Sequence, residues 1–185
     1  MSNEATAAAS TVTTWEIDPA HAHAQFKVRH MMIANVKGEF TKLTGTAKWD
    51  SADITKSSLE ATIDVASINT REPQRDAHLK SADFFDAEHY PTITFRSTKI
   101  TPTNEGHEIT GDLTIRGVTK SVTLAVEGPT PESKDPWGNT RVGVELTTTI
   151  DRKDFGLTWN ATLETGGVLV GEKVAITVDA ELIKK

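Results

Sequence analysis

Apolar and polar residues alternate at period two in segment after segment of this chain, and that pattern constrains the fold more than any other feature. Successive side chains of an extended strand point to opposite faces, so alternation describes a strand with one face toward an interior and one toward water. The cleanest case sets Ile109, Gly111, Leu113 and Ile115 against Glu108, Thr110, Asp112, Thr114 and Arg116. The same phase returns in Ala24, Phe26, Val28 and His30, in Leu59, Ala61, Ile63 and Val65, and in Ile93 and Phe95. It continues in Val122, Leu124 and Val126, in Val142, Val144 and Leu146, and from Val174 through Ile176, Val178 and Ala180 to Leu182. With the segment from Val36 to Trp49 these make eight strands. That segment changes phase between Phe40 and Leu43, which predicts a β-bulge near Thr41 and Lys42.

Short, turn-like connections at Asp50 to Asp53, Pro102 to Gly106 and Gly117 to Val118 make sequential strands antiparallel neighbours. Two connections are longer than hairpins need. Asn69 to Pro91 predicts a short helix, with Thr70 as its N-cap and Pro73 in its first turn, and Arg152 to Lys173 reads as irregular. Long ordered loops on a β scaffold carry function more often than short ones, and these two are placed to close one end of a barrel. The expected fold is all-β: an eight-stranded antiparallel up-and-down barrel with one short helix in the 69–91 connection. Residues 1–14, small and polar without periodicity, read as a disordered N-terminal tail, and 15–185 as one domain.

Lys and Arg total 20 against 26 Asp and Glu, and no stretch concentrates positive charge, which argues against nucleic acid and anionic membrane surfaces as partners. The absence of cysteine removes disulfides, thiolate metal sites and thiol nucleophiles together. The first residues have no basic start and no apolar run of signal-peptide or membrane-spanning length. The reading is a cytoplasmic protein, or a periplasmic one if a leader has been removed.

An eight-stranded barrel is just wide enough to be filled by side chains or to hold one small ligand. Gly38, Gly45 and Gly111, with Ala24, Ala47, Ala61 and Ala180, occupy the inward phase and remove filling volume. Inward glycines also relieve crowding where strands bend, so periodicity leaves filled and hollow interiors evenly matched.

Among polar residues, His21 and His30 bracket the first strand, and His78 stands in the helix segment beside Arg75 and Asp76. Their donors suit a carbonyl, hydroxyl or pyrophosphate, but the Arg75-Asp76-His78 group serves equally as a network tying the long loop to the barrel rim, and Arg152 and Asp154 share that ambiguity. A metal-dependent enzyme would draw on His21, His23, His30 and His78, without any diagnostic ligand spacing. No Gly-x-Ser-x-Gly elbow, His-Glu-x-x-His helix or paired catalytic carboxylates appear, so an enzyme reading lacks a nucleophile. Gly166-Gly167 and Gly171 read as loop turns, not a phosphate loop, and Asn160-Ala161-Thr162 as a chance glycosylation match.

Four stretches carry a family resemblance. They are Asp18-Pro19-Ala20-His21 with Phe26, Val28, Arg29 and His30; Arg75 to Asp86 with Tyr90-Pro91-Thr92-Ile93; Gly111 to Thr119; and Ile150 to Leu157. In this order the chain resembles the YceI-like, polyisoprenoid-binding, lipocalin-like proteins of bacteria from Trp15 to Glu181. It departs from them at Ala22-His23, where small hydroxyl residues are common. The resemblance implies a barrel enclosing a long amphiphile, such as a polyisoprenoid, an isoprenoid quinone or a fatty amide, with no cofactor and no catalysis. The apolar tail would meet Phe26, Val28, Val36, Phe40, Ile63, Phe84, Phe85, Phe95, Leu113, Ile115 and Leu146. The head would meet His21, His30, Arg75, His78 and Arg152, with no metal. A barrel with a filled core, serving as a scaffold or as a homodimer through an exposed strand or loop, is the other reading.

Overall fold

Eight strands, two of them kinked, wind around a closed antiparallel barrel in the computed structural model, which describes residues 11–185. In chain order the elements are β1 (Val12–His30), β2 (Ala34–Phe40), β3 (Leu43–Asp50), β4 (Ser58–Asp64), β5 (Ile68–Asn69), α1 (Pro73–Lys80) and β6 (Thr92–Thr103). There follow β7 (Gly106–Ile115), β8 (Val118–Glu127), β9 (Ser133–Lys134), β10 (Thr140–Asp151) and β11 (Val170–Lys184). The circuit runs β1, β3, β4, β6, β7, β8, β10, β11 and closes where β11 pairs with β1. β2 and β5 prolong β3 and β4 along the far half of β1.

The phase change at Thr41 and Lys42 is a break between β2 and β3, with Phe40 and Leu43 both buried on either side of it. β1 bends to match. Its pairing with β11 jumps from Ile17↔Leu182 to Ala22↔Ala180, so Asp18-Pro19-Ala20-His21 bulges from the ladder and inward residues change from odd to even numbers. β1 also begins earlier than Trp15. Val12, Thr13 and Thr14 pair with Asp50, Trp49 and Lys48, and the Thr11 hydroxyl donates to Asp50, so cross-strand bonds order a stretch whose composition looked like tail. Residues 1–10 of the expected tail lie outside the described residues.

The helix N-cap is Glu72, whose carboxylate accepts from the Gln74 N–H, and not Thr70. Thr70 is instead buried, donating its hydroxyl to Asp76 while Arg75 donates to its hydroxyl and its carbonyl. A chain that must turn inward three residues before the helix cannot also supply the cap.

The inward glycines do not open the interior. The ring of Phe26 lies over Gly38, Ile17 over Gly45, and Phe95 over Gly111, so each glycine makes room for a neighbouring side chain. A Cβ at Gly111 would stand 2.5 Å from both the Arg96 carbonyl oxygen and the Phe95 ring, beside the β6 register shift at Ser97 to Lys99. Gly111→Ala should cost about 1–3 kcal/mol, read as a lower melting temperature, because a backbone oxygen cannot step aside. An unchanged melting temperature would show that the sheet bends there freely.

Candidate functional site

The barrel is hollow. Leu113, Val122, Val144, Ile176 and Val178 point inward on strands closed on both edges, yet remain only half-buried because they face open space. That space is an elongated cavity of about 510 Å³, walled by apolar side chains from every strand of the circuit. Ten of the residues expected to meet a tail line it: Phe26, Val28, Phe40, Ile63, Phe84, Phe85, Phe95, Leu113, Ile115 and Leu146. Val36 does not; it pairs with Val28 in the extension of the sheet beyond the cavity wall.

The two long connections close one end. Phe84, Phe155 and Leu157 are buried there in one cluster with Val65 and Ile68, and Leu79, Phe85 and Trp159 pack against it. His78 holds the connections together, its ring edge-on to Phe84 at 5.1 Å and to Trp159 at 4.7 Å and its Nε2 2.9 Å from Asp83. At the opposite end the lining includes exposed Thr130, Pro131 and Glu132, together with Ser57, Ser58, Trp49 and His107. This is the mouth.

The residues expected to gather around a head group do not come together. His21 stands in the β1 bulge, its side chain 57% exposed and its Nδ1 3.0 Å from Asp18. It is absent from the lining because that bulge turns it outward. His30 ends β1 beyond the cavity, Arg75 is spent on Thr70, and His78 is spent on the loop-to-loop contact, so none of the three reaches the interior. Arg152 alone of the five lines the cavity. It is 4% exposed, and its guanidinium donates to four carbonyls: Nε to Gly171 at 2.7 Å, Nη1 to Leu157 at 2.7 Å and Trp159 at 2.9 Å, and Nη2 to Val170 at 3.2 Å. Burial pushes its pKa down, with Glu172 and Asp151 opposing. Arg152 thus ties the closing loop to the start of β11.

A YceI-like domain model matches residues 15–182. The chain belongs to the YceI-like family. A UPF0312 protein of Staphylococcus aureus strain N315 is 38% identical over 171 residues, 92% of this chain and 97% of the relative. Among solved structures, the Campylobacter jejuni YCEI protein is 34% identical, covering 86% of this chain and 91% of its own, with a TM-score of 0.70. Burkholderia cenocepacia BcnA is 26% identical over 89% and 98% of the two chains, with a TM-score of 0.75. A Saccharophagus degradans domain described as polyisoprenoid-binding and implicated in plant cell wall breakdown aligns over 92% and 98% with a TM-score of 0.66; at 14% identity it bears on the fold alone.

The mouth of this YceI-like barrel was legible only in part. Trp49 and His107 sit on inward phases of their strands, which was the available signal, and their rings meet edge-on at 5.8 Å while His107 Nδ1 lies 3.2 Å from the Gly128 carbonyl. Pro129 to Glu132 carry no periodicity and come to the mouth only because the β8–β10 connection folds back. Arg141 anchors that connection from outside, with Nε 2.6 Å from Asp135 and Nη1 2.7 Å from Asp18 and 3.1 Å from Glu181. Asp18, His21 and Glu181 are the metal-type grouping among the described residues, and the Arg141 guanidinium already supplies its cation.

Arg141 holds Asp18 down to about 2, with His21 adding to the effect, and holds Asp135 well below the usual carboxylate range. A depressed folded pKa stabilises fully above the unfolded value of about 4 and is lost as pH falls through the folded value. The melting temperature of Arg141→Met should therefore lie below wild type at neutral pH, with the gap narrowing as the pH falls from about 4 toward 2 and the share of Asp135, held lower than Asp18, lasting longest. A gap independent of pH would mean that Arg141 acts by packing alone.

Proposed function

We propose that this YceI-like protein is a non-catalytic carrier of one long amphiphile, a polyisoprenoid, isoprenoid quinone or fatty amide, with its tail in the barrel. The observation that carries this reading is the cavity of about 510 Å³ with an almost wholly apolar wall. An empty apolar space of that size forgoes contacts on every side, so a hydrocarbon chain that fills it gains both dispersion and burial from water. The tail would lie against Phe26, Phe40, Ile63, Phe95, Leu113, Ile115 and Leu146, all of which line the wall.

The head group fits the mouth better than the closed end. Ser57, Ser58, His107 and Thr130 offer hydroxyl and imidazole groups where water is at hand, whereas the Arg152 donors are already engaged by carbonyls. A Saccharophagus degradans domain described as polyisoprenoid-binding shares this barrel fold, and the isoprenoid class itself rests on the apolar cavity. A metal-dependent enzyme loses its support, since among the described residues no three of His21, His23, His30 and His78 come within ligand range of one another, and His21 and His78 are each bound to a carboxylate of their own. Organic extraction of purified protein followed by mass spectrometry tests the reading. Stoichiometric long-chain lipid is the expected result; protein that carries none, and takes up none when offered, overturns it.

A further inference from the structure

The hairpin between β1 and β2 exposes three large apolar residues in a row at the closed end of the barrel: Met31 at 42%, Met32 at 57% and Ile33 at 75%. Val168, at 39%, stands in the neighbouring loop, and Met32 lies over Gly167 in that loop. Met31 and Met32 both hold the left-handed backbone, with φ of 49° and 61°, a region that favours glycine and that unbranched and branched apolar residues seldom enter. The turn is held there by the Met31 N–H, which donates to the Leu169 carbonyl at 2.7 Å. Such an exposed and strained apolar tip calls for a partner that covers it.

Charge says which partner. Behind the tip, Lys27 and Lys37 face each other across β1 and β2, and Arg29 stands between them and the turn; all three are exposed. Like charges directly opposite on a sheet repel, and none of the three makes an ion pair among the described residues. Of the acids in this region, Glu39 pairs with Gln25, farther from the tip, Glu172 is bound to Lys153 at 2.6 Å, and Glu164 stands exposed in the turn that holds Gly167, one acid against three cations. Three unpaired cations beside an apolar tip, in a chain of net charge -6, match an anionic interface. The linear sequence hides this, because Lys27 and Arg29 meet Lys37 only when the hairpin folds.

We propose that the Met31–Ile33 tip and the basic row behind it dock the closed end of the barrel on an anionic lipid bilayer. The spacing suits that partner. Arg29 stands about 7 Å and Lys27 about 13 Å behind Met31 along the strand, so the tip enters the acyl boundary while the cations lie at or near headgroup level. The cavity wall also reaches this end through Val28 and Val170, which puts the bilayer against the loop that seals the barrel.

The test is sedimentation of the full chain with vesicles of phosphatidylcholine alone and of phosphatidylcholine with phosphatidylglycerol. Wild type should pellet with the anionic vesicles and much less with the neutral ones. Ile33→Asp, at an exposed position, should weaken that binding at least roughly tenfold, and Lys27→Glu with Lys37→Glu about tenfold, with loss of salt sensitivity. Circular dichroism and extracted lipid, measured on the same variants, should stay at wild-type values. Wild type that ignores anionic vesicles, or Ile33→Asp that binds them equally, overturns the docking whether or not the cavity holds lipid. A wild-type dimer that Ile33→Asp converts to monomer, without vesicle binding, overturns it in favour of a second copy. Vesicle binding by protein that takes up no lipid supports the docking and counts against the carrier reading alone.

Discussion

Replacing Arg152 with alanine is expected to lower the melting temperature by roughly 10 °C, at about 2–4 °C per kcal/mol for a chain of this length. The side chain is buried and donates to the carbonyls of Leu157, Trp159, Val170 and Gly171, and it has no carboxylate partner among the described residues. Its removal takes that donor from the Leu157, Trp159 and Gly171 carbonyls in a closed, largely apolar end, while Val170 keeps the Asn160 amide, at about 1–3 kcal/mol for each that water cannot reach, for a total loss of about 3–5 kcal/mol. Arg152→Lys keeps the charge but has one nitrogen to serve carbonyls that three nitrogens now reach, so it should recover less than half of the loss. Differential scanning calorimetry decides between the cases. A melting temperature within about 2 °C of wild type for the alanine variant would show that the closing loop folds without its tie.

Filling the cavity should separate stability from ligand capture. Val178 lines the space between β10 and β1, opposite Leu146 and Ala24, and packs against all three apolar clusters of the interior. In a filled core Val178→Trp would cost about 1–3 kcal/mol through overpacking. Here the indole has void to enter, so the melting temperature should hold or rise while extracted lipid falls at least about tenfold, because each buried methylene that is excluded forfeits about 0.8 kcal/mol. Full lipid occupancy with an intact fold would place the tail elsewhere.

The barrel was legible because alternation reports directly which face of a strand meets the interior, and even the break at Thr41 and Lys42 showed as a phase change. Whether the interior is hollow was not legible. Gly38, Gly45 and Gly111 looked like missing volume, but Phe26, Ile17 and Phe95 occupy the room they leave, and that depends on cross-strand geometry absent from a linear pattern. The polar residues failed for a related reason. His21 and His30 share one strand, yet the bulge at Asp18 to His21 turns the first outward, and a bulge of that kind is set by how β1 must serve β3 and β11 at once. Arg152 was found by residue type, while its four carbonyl partners come from a loop without periodicity.

The pairing of β1 with β11 sets when this protein can close. Trp15 pairs with Lys184 and His30 with Val170, so the seam joins the earliest strand of the described chain to the last. Such contacts give a high contact order, and loop-closure entropy must be spent before the seam returns any of it, which makes closure a late event in folding. Until β11 has been made the barrel cannot close, so the inward apolar face of the other strands is not yet sealed off. A long lipid laid on that face at this stage would be enclosed by the last strand, without having to thread a finished mouth.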